Sequence, residues 1–284
     1  MSTDAAIFQG ISWNPVADVH RLLEFHFMAN ALEAGTAVAV LAGAIGWFMV
    51  LRRQTFAGHT LAVIAFPGAA GAALAGIPLA FGYFGACALG AVALAGVSAD
   101  RSGSLSRESA ATGTVQAVGL GLGFLFVELY HGLLNGISAL LFGTFLGISD
   151  GQVLTLVVVA VAGLALLCAT GRPLLFATLD NDVAQAAGVP VRALSLGFLL
   201  VLGLAVAATS QITGTLLVFA LLVAPAATAQ RLTARPLRGL LLSIAIGLAA
   251  TWIGLALAYF SIYPAGFYIT TLAFAAYVLA RLVR

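Results

Sequence analysis

Long apolar runs follow one another along almost the whole chain, and short polar connections separate them. A run of about 20 apolar residues lets one helix cross a hydrocarbon core of about 30 Å. The pattern predicts nine spans, with eight as the alternative. The glycine-rich segment 131–150 is predicted to be re-entrant or interfacial instead. The predicted spans are 29–51, 58–78, 81–98, 112–130, 152–170, 194–211, 213–230, 238–260 and 264–283.

The composition agrees with a chain that lies in lipid. Hydrophobic residues make up 62% of it and charged residues 8%, whereas about a quarter of the residues of a soluble protein are charged. We therefore predict an all-α, multi-pass protein of the cell membrane, a bundle of about eight to nine helices in one domain over residues 29–284. Residues 1–28 lack the basic start and separate apolar region of a cleavable signal, and are predicted to be an extracytoplasmic or interfacial segment.

The arginines orient the bundle, because the chain contains no lysine. In the nine-span arrangement eleven arginines fall on one side, and only Arg21 falls on the other. The positive-inside rule makes the arginine-rich side cytoplasmic. The eleven are Arg52, Arg53, Arg101, Arg107, Arg172, Arg192, Arg231, Arg235, Arg238, Arg281 and Arg284.

Small residues recur at intervals of four in the first two spans, which predicts faces where helix backbones approach closely. Two prolines, Pro67 and Pro225, lie inside apolar runs, where each removes a backbone donor and can kink a helix. The small residues are Gly35, Ala39 and Gly43 in the first span and Gly68, Ala72 and Gly76 in the second.

The connection 174–194, on the cytoplasmic side, differs from the others. It contains two aspartates, an alanine-rich stretch and Gly188. Asp180 or Asn181 can cap a short helix over 182–187, with Gly188 at its C-terminal end. Such a helix is either a docking surface for a partner or a loop that lies on the membrane.

Several kinds of chemistry are excluded or unsupported. A Walker A phosphate loop requires a lysine, so any ATP that drives this protein must be hydrolysed by another polypeptide. A net charge of +2 gives no support for nucleic-acid binding. The two cysteines lie singly in apolar runs, without the spacing of a metal site. We predict no cofactor and no enzymatic activity in this chain.

The ionisable residues within the spans are the candidates for function, because a charge at membrane depth costs about 3 kcal/mol. They are Glu33, His59, Glu128 and His131. Glu128 and His131 share a helix face, and a carboxylate with an imidazole either binds Zn²⁺, Mn²⁺ or Fe²⁺ or meets water at the outer surface. His59 is either an interfacial imidazole or a functional group, and Glu33 is expected to be solvated near the outer interface.

Five segments occur in a characteristic order: FHFMANAL at 25–32, LRRQTFAGHTLAVIAFPG at 51–68, LLFGTFLGIS at 140–149, LDNDVAQAAGVPV at 179–191 and GTLLVFALLVAPAATA at 214–229. Together they resemble the permease subunits of binding-protein-dependent ABC importers for divalent metals, which serve zinc, manganese and iron. The resemblance covers about residues 25–280.

The resemblance implies a set of partners and a substrate. Two permease copies would pair within the lipid, and cytoplasmic ABC ATPase subunits would dock at the segment from Asp180 to Gly188, which includes Asp182 and Ala184. An extracellular metal-binding lipoprotein would deliver a divalent ion for import. Two alternatives are the same scaffold carrying a metal chelate or another small solute, and a secondary transporter that needs no ATP.

One departure from the family pattern lies in the second span. Family members usually carry an aspartate directly after the glycine that aligns with Gly58, and a histidine four residues later, and both are associated with the metal path. Here these positions are His59 and Val63. We expect His59 to remain on the pathway, with Glu128 and His131 replacing the lost ligands.

Overall fold

The computed structural model describes residues 24–99, 105–130, 143, 147–215, 218–261 and 263–283, with side chains omitted at 97–99, 105–111 and 283. In these residues the regular elements are ten α-helices, and no strand occurs. The helices are α1 (His26–Leu51), α2 (Thr55–Leu74), α3 (Leu79–Ala99), α4 (Leu105–Leu129), α5 (Asp150–Leu179), α6 (Asn181–Ala186), α7 (Val191–Thr213), α8 (Val218–Leu232), α9 (Pro236–Tyr259) and α10 (Ala265–Val283).

Eight of these helices are long and apolar enough to cross a membrane, which confirms the predicted multi-pass bundle. The shorter α8, with 15 residues, replaces the predicted seventh full span at 213–230. At 1.5 Å per residue it is about 22 Å long, which is less than a hydrocarbon core of about 30 Å. Segment 131–142 and residues 144–146, the N-terminal residues 1–23, and Arg101 and Arg284 lie outside the described residues.

Helix α1 is the centre of the bundle and α4 lies at its edge. Within their apolar windows, 72% of α1 is buried but only 11% of α4. The small residues of α1 face α9, as predicted: a Cβ added at Gly43 would lie 2.8 Å from the Cα of Ile244, and Ser243 Oγ donates a hydrogen bond to the Gly43 carbonyl at 2.8 Å. Close approach of two backbones therefore fixes α1 against α9.

Helices α2 and α3 also cross at small residues. A Cβ added at Gly68 would collide with the carbonyl oxygen of Gly82, and one added at Gly82 would lie 2.7 Å from the Cβ of Ala72. The third predicted packing residue, Gly76, does not pack. It follows the end of α2 with a φ of +68° and has open space around it, so it makes the turn that precedes α3.

Replacement of Gly68 with leucine is expected to lower the stability of the bundle by about 3 kcal/mol, because an overpacked contact must push α2 and α3 apart. Thermal unfolding of the purified protein in detergent measures the effect. Gly85→Leu in α3 is the matched control, since a Cβ at Gly85 meets nothing within 4 Å. Equal melting temperatures for the two variants would show that the crossing tolerates bulk.

The two ends of the bundle are joined by different polar contacts. At the outer end, Asp150 Oδ1 lies 2.9 Å from His26 Nε2 and accepts a hydrogen bond from Asn30 Nδ2 at 2.6 Å. Ser149 caps α5 in a reciprocal capping box with Gln152. At the opposite, arginine-rich end, the α1 terminus meets the end of α5 and the start of α7. The positive-inside rule makes this second end cytoplasmic.

Candidate functional site

His59 lies in the second turn of α2, near the cytoplasmic end. Its side chain is exposed, although its neighbours Gly58 and Thr60 are buried. The imidazole packs edge-on against the ring of Phe219, with 5.2 Å between ring centroids and 69° between the planes. The imidazole is therefore held at the surface of the single chain with one aromatic neighbour, and it stays accessible to a ligand or to a second chain.

Phe219 belongs to the first turn of α8, which begins inside the membrane. Gly46 packs directly against the backbone of Leu222. Counting from the end of α1, α8 begins about 14 Å from the cytoplasmic end, close to half of the hydrocarbon thickness. Irregular backbone at this depth is tolerated only where it is buried in protein or lines a water-filled cavity. His59 thus contacts the helix that starts at this break.

The described residues of the break, Gly214 and Thr215, follow α7 and are buried. Gly214 has a φ of +74°, and Thr215 is 5% exposed. Three hydroxyls in the last turn of α7 donate to carbonyls one turn earlier, at 2.7, 2.7 and 3.0 Å. They belong to Thr209, Ser210 and Thr213. Because these donors are already satisfied, the hydroxyl oxygens offer lone pairs and no free proton donor.

Glu128 lies at the other end of the membrane from His59. Helix α4 runs beside α2, with Gln116 Nε2 donating to Thr60 Oγ1 at 2.8 Å. Glu128 is twelve residues farther along α4, about 18 Å at 1.5 Å per residue. The two side chains of one chain therefore do not share one coordination sphere. Glu128 is exposed, and His131 lies outside the described residues.

No group of three or more His, Cys, Asp or Glu side chains gathers to hold a metal ion in the part of the chain that the structure describes. Glu33 is exposed, as expected, in a groove of about 840 Å³ that is mostly apolar. The groove also contains Trp252, whose indole donates to Thr36 Oγ1 at 2.9 Å. Within the described residues of one chain, a coordination site at His59 would therefore draw on a single imidazole.

The two prolines of the apolar runs, Pro67 and Pro225, both lie inside helices. Pro67 lies in α2, one residue before the Gly68 crossing, and both Pro67 and Pro225 of α8 are buried. Helix α2 continues through Pro67 to Leu74, and α8 continues through Pro225. Each proline leaves the carbonyl four residues earlier without its helical donor.

The predicted short helix on the cytoplasmic side is confirmed as α6, with bounds one residue earlier than 182–187. Asp180, rather than Asn181, is the cap, and its Oδ1 accepts from Val183 N at 3.0 Å. Gly188 has a φ of +81°, donates to Gln185 O at 3.0 Å, and is followed by a bond from Val189 N to Ala184 O. This pattern is a Schellman motif, in which glycine tolerates the left-handed conformation.

One face of α6 is anchored and the other is free. Ala184 is fully buried where α6 meets the ends of α5 and α7. Asp182 is exposed, and Val183 is 52% exposed. The outer face of α6 is therefore exposed, with apolar and acidic side chains beside each other.

Sequence reasoning missed two contacts of the site. Arg52 was interpreted only as a marker of orientation, but its guanidinium donates to Thr178 Oγ1 and Ser195 Oγ, both at 3.0 Å, and so ties α1 to both helices that flank α6. Burial lowers the pKa of Arg52 from its ordinary value. The second missed contact is Phe219 on His59. The segment 214–229 was singled out, but no spacing in it indicates which α8 side chain reaches α2.

Comparison with known proteins agrees with this architecture. The chain is 30% identical over 245 residues to the manganese import system permease protein ScaB of Streptococcus parasanguinis, covering 84% of each chain. It is 31% identical over 242 residues to the chelated iron transport system membrane protein YfeC of Yersinia pestis, covering 85% of this chain and 80% of that protein.

Solved structures share the fold. A structure of PsaBC from Streptococcus pneumoniae in complex with Fab superposes with a TM-score of 0.84 at 27% identity, covering 93% of this chain and 94% of that one. An inward-facing putative metal-chelate type ABC transporter superposes with a TM-score of 0.71 at 18% identity, which shows the common fold alone. The profile of the ABC 3 transport family matches residues 24–284, and the chain therefore belongs to that family.

Proposed function

We propose that this protein is the membrane permease subunit of an ATP-driven importer that moves a divalent metal ion into the cytoplasm. The observation that carries the proposal is the similarity, at 30% identity over 84% of the chain, to a permease named for manganese import. A second relative is named for chelated iron. Manganese and iron differ in the ligands that they prefer, so the ligands on the pathway of this chain would decide which ion it carries.

Two features of the chain support the proposal that a separate partner hydrolyses ATP. The chain has no lysine and hence no Walker A loop. Helix α6 offers an exposed outer face, capped by Asp180 and closed by Gly188, at the cytoplasmic end of the bundle. We assign α6 as the coupling surface for the ATPase. A metal-binding protein on the outer side would deliver the ion.

His59 is the ligand that we place on the pathway. Imidazole suits Zn²⁺, Cu, Fe and Ni, whereas carboxylate oxygen suits Mn²⁺. The replacement of the family's aspartate and histidine by His59 and Val63 therefore favours an ion that accepts nitrogen. Because His59 is exposed in the single chain, a second copy facing it would bring two imidazoles together. Glu128 and His131 would then act as a separate station near the outer end.

The altered pair favours one second candidate, the same permease scaffold carrying a metal chelate. A chelate arrives with its own ligands, so a pathway needs fewer of them. His59 and Val63 together supply one ligand where the family pattern supplies two.

Elemental analysis of cells with and without this chain tests the proposal. Cells are grown in metal-depleted medium and pulsed with Zn²⁺, Mn²⁺ or Fe²⁺, each free or chelated. We expect a deficit in one free metal that the wild-type gene restores. A deficit limited to a chelated form would favour the second candidate, and no deficit for any form would refute metal import.

A further inference from the structure

A basic pocket lies at the cytoplasmic end of the bundle, beside the start of α6. Its volume is about 590 Å³, and it opens between the ends of α1 and α5 and the start of α7. Three arginines line it, Arg52, Arg53 and Arg192, together with Asn181 of α6. No carboxylate is among the described residues that line the pocket.

Among the described residues, no carboxylate forms an ion pair with the arginines of this pocket. Arg52 is partly buried, yet its three hydrogen-bond acceptors are neutral: Gln54 Oε1 at 3.2 Å and the hydroxyls of Thr178 and Ser195. The ion pair between His26 and Asp150 lies at the opposite end. A guanidinium has five N–H donors, so Arg52 keeps donors free beyond these three bonds.

Asp180 adjoins the lining residues Leu179 and Asn181 in the sequence but does not itself line the pocket. Asp180 Oδ1 accepts from the Val183 backbone to cap α6. Arg53 has a φ of +58° because it is the left-handed residue of a Schellman motif that ends α1, with Arg53 N donating to Val50 O at 3.0 Å and Gln54 N to Met49 O at 2.9 Å. The side chain of Arg53 therefore leaves α1 at the rim of a pocket whose described lining contains no carboxylate.

The rest of the lining is apolar and partly exposed. Leu179 is 71% exposed and Leu196 is 37% exposed, at the level where α1 leaves the membrane. A free phosphate ion would contact the arginines but would leave these leucines in water. A lipid whose phosphate meets the arginines would cover them with the first carbons of its acyl chains.

We propose that this pocket binds the headgroup of an anionic phospholipid of the cytoplasmic leaflet. Basic pockets between transmembrane helices on the cytoplasmic side are suited to such headgroups, since that leaflet carries anionic lipids. The phosphodiester accepts hydrogen bonds from Arg53, Arg192 and the free donors of Arg52. The bound lipid thereby braces the ends of α1, α5 and α7 from which α6 projects.

Native mass spectrometry of the full-length chain in detergent, titrated with dioctanoyl phosphatidylglycerol or dioctanoyl phosphatidylcholine, tests the proposal. We expect the anionic lipid to bind at least about tenfold more tightly. The double variant Arg53→Gln/Arg192→Gln is expected to weaken that binding about 30-fold, since each arginine near an anionic group contributes about fivefold. Neither side chain makes a hydrogen bond within the described residues, so the variant should still fold.

The matched control is Arg235→Gln/Arg238→Gln, which removes the same charge from exposed residues on the same side of the bundle. It should bind phosphatidylglycerol like the wild type. Equal affinity for the two lipids, or unchanged binding in Arg53→Gln/Arg192→Gln, would overturn the proposal. Displacement of the lipid by an equal concentration of glycerol 3-phosphate would also overturn it, and would identify a free phosphate as the ligand. If neither lipid binds, the proposal is also refuted, and an acidic protein becomes the expected partner of the arginines.

Discussion

Replacing His59 with alanine is expected to lower the initial rate of metal uptake at least about tenfold, because even an outer-shell partner of a metal ligand is worth ten- to a hundredfold in affinity. His59 is the exposed imidazole next to Phe219 and the helix break, and no cluster of other ligands in the described residues can substitute for it. The measurement is uptake of the metal identified by elemental analysis, in cells that contain equal amounts of each variant.

His26→Ala is the matched control for this change. It removes a second exposed histidine, which lies at the outer end against Asp150 and away from the break. Uptake by this variant should stay within twofold of the wild type, as expected for a surface substitution. If His59→Ala transports as well as His26→Ala, His59 is not on the pathway.

A variant that restores the family residues tests whether this position also sets metal selectivity. The variant His59→Asp/Val63→His restores the carboxylate and imidazole of the family pattern on one face of α2. Carboxylate oxygen suits Mn²⁺ better than imidazole does. We expect the ratio of manganese to zinc uptake to rise relative to the wild type, and an unchanged ratio would show that selectivity is set elsewhere.

Replacing Ala184 with glutamate is expected to abolish ATPase retention and transport together. Ala184 is fully buried beneath α6. An unpaired carboxylate at that position costs several kcal/mol. A helix of six residues has no comparable stability of its own, so α6 should leave its place rather than bury the charge. Co-purification of the ATPase with the tagged permease measures the effect.

Ala186→Glu provides the control, because Ala186 is in the same helix but exposed. It adds the same charge without burial and should leave the packing of α6 intact. Thermal unfolding distinguishes a local displacement of α6 from unfolding of the whole bundle. The membrane helices of both variants should melt like those of the wild type. Retention of the ATPase by Ala184→Glu at wild-type levels would show that α6 is not the coupling surface.

Local signals predicted the ends of one helix and one helix contact correctly. The aspartate before α6 and the glycine after it predicted both ends of that helix, because caps satisfy backbone groups within one turn. The four-residue interval from Gly35 to Gly43 predicted a close helix contact, because the residues of one helix face depend only on spacing. Gly76 was assigned wrongly by the same interval, since α2 ends before it.

The sequence did not indicate which residues of different helices contact each other. The spacing of Glu128 and His131 suggested ligands for His59, but the register of α4 on α2, fixed by Gln116 and Thr60, separates Glu128 from His59 by about 18 Å. The division into residues 1–28 and 29–284 stays a prediction. So does the role of His131.

The sequence by itself determined that this protein is a multi-pass bundle, that its arginines gather on one side, and that a capped helix lies on that side. Each of these follows from hydropathy, charge or chemistry within a few residues of one another. Only the tertiary structure decided that α8 starts inside the membrane, that Phe219 meets His59, and that Arg52 joins three helix ends in a basic pocket. Apolar helices of similar composition can pack in many registers, and the choice among them depends on close contacts between residues far apart in the chain.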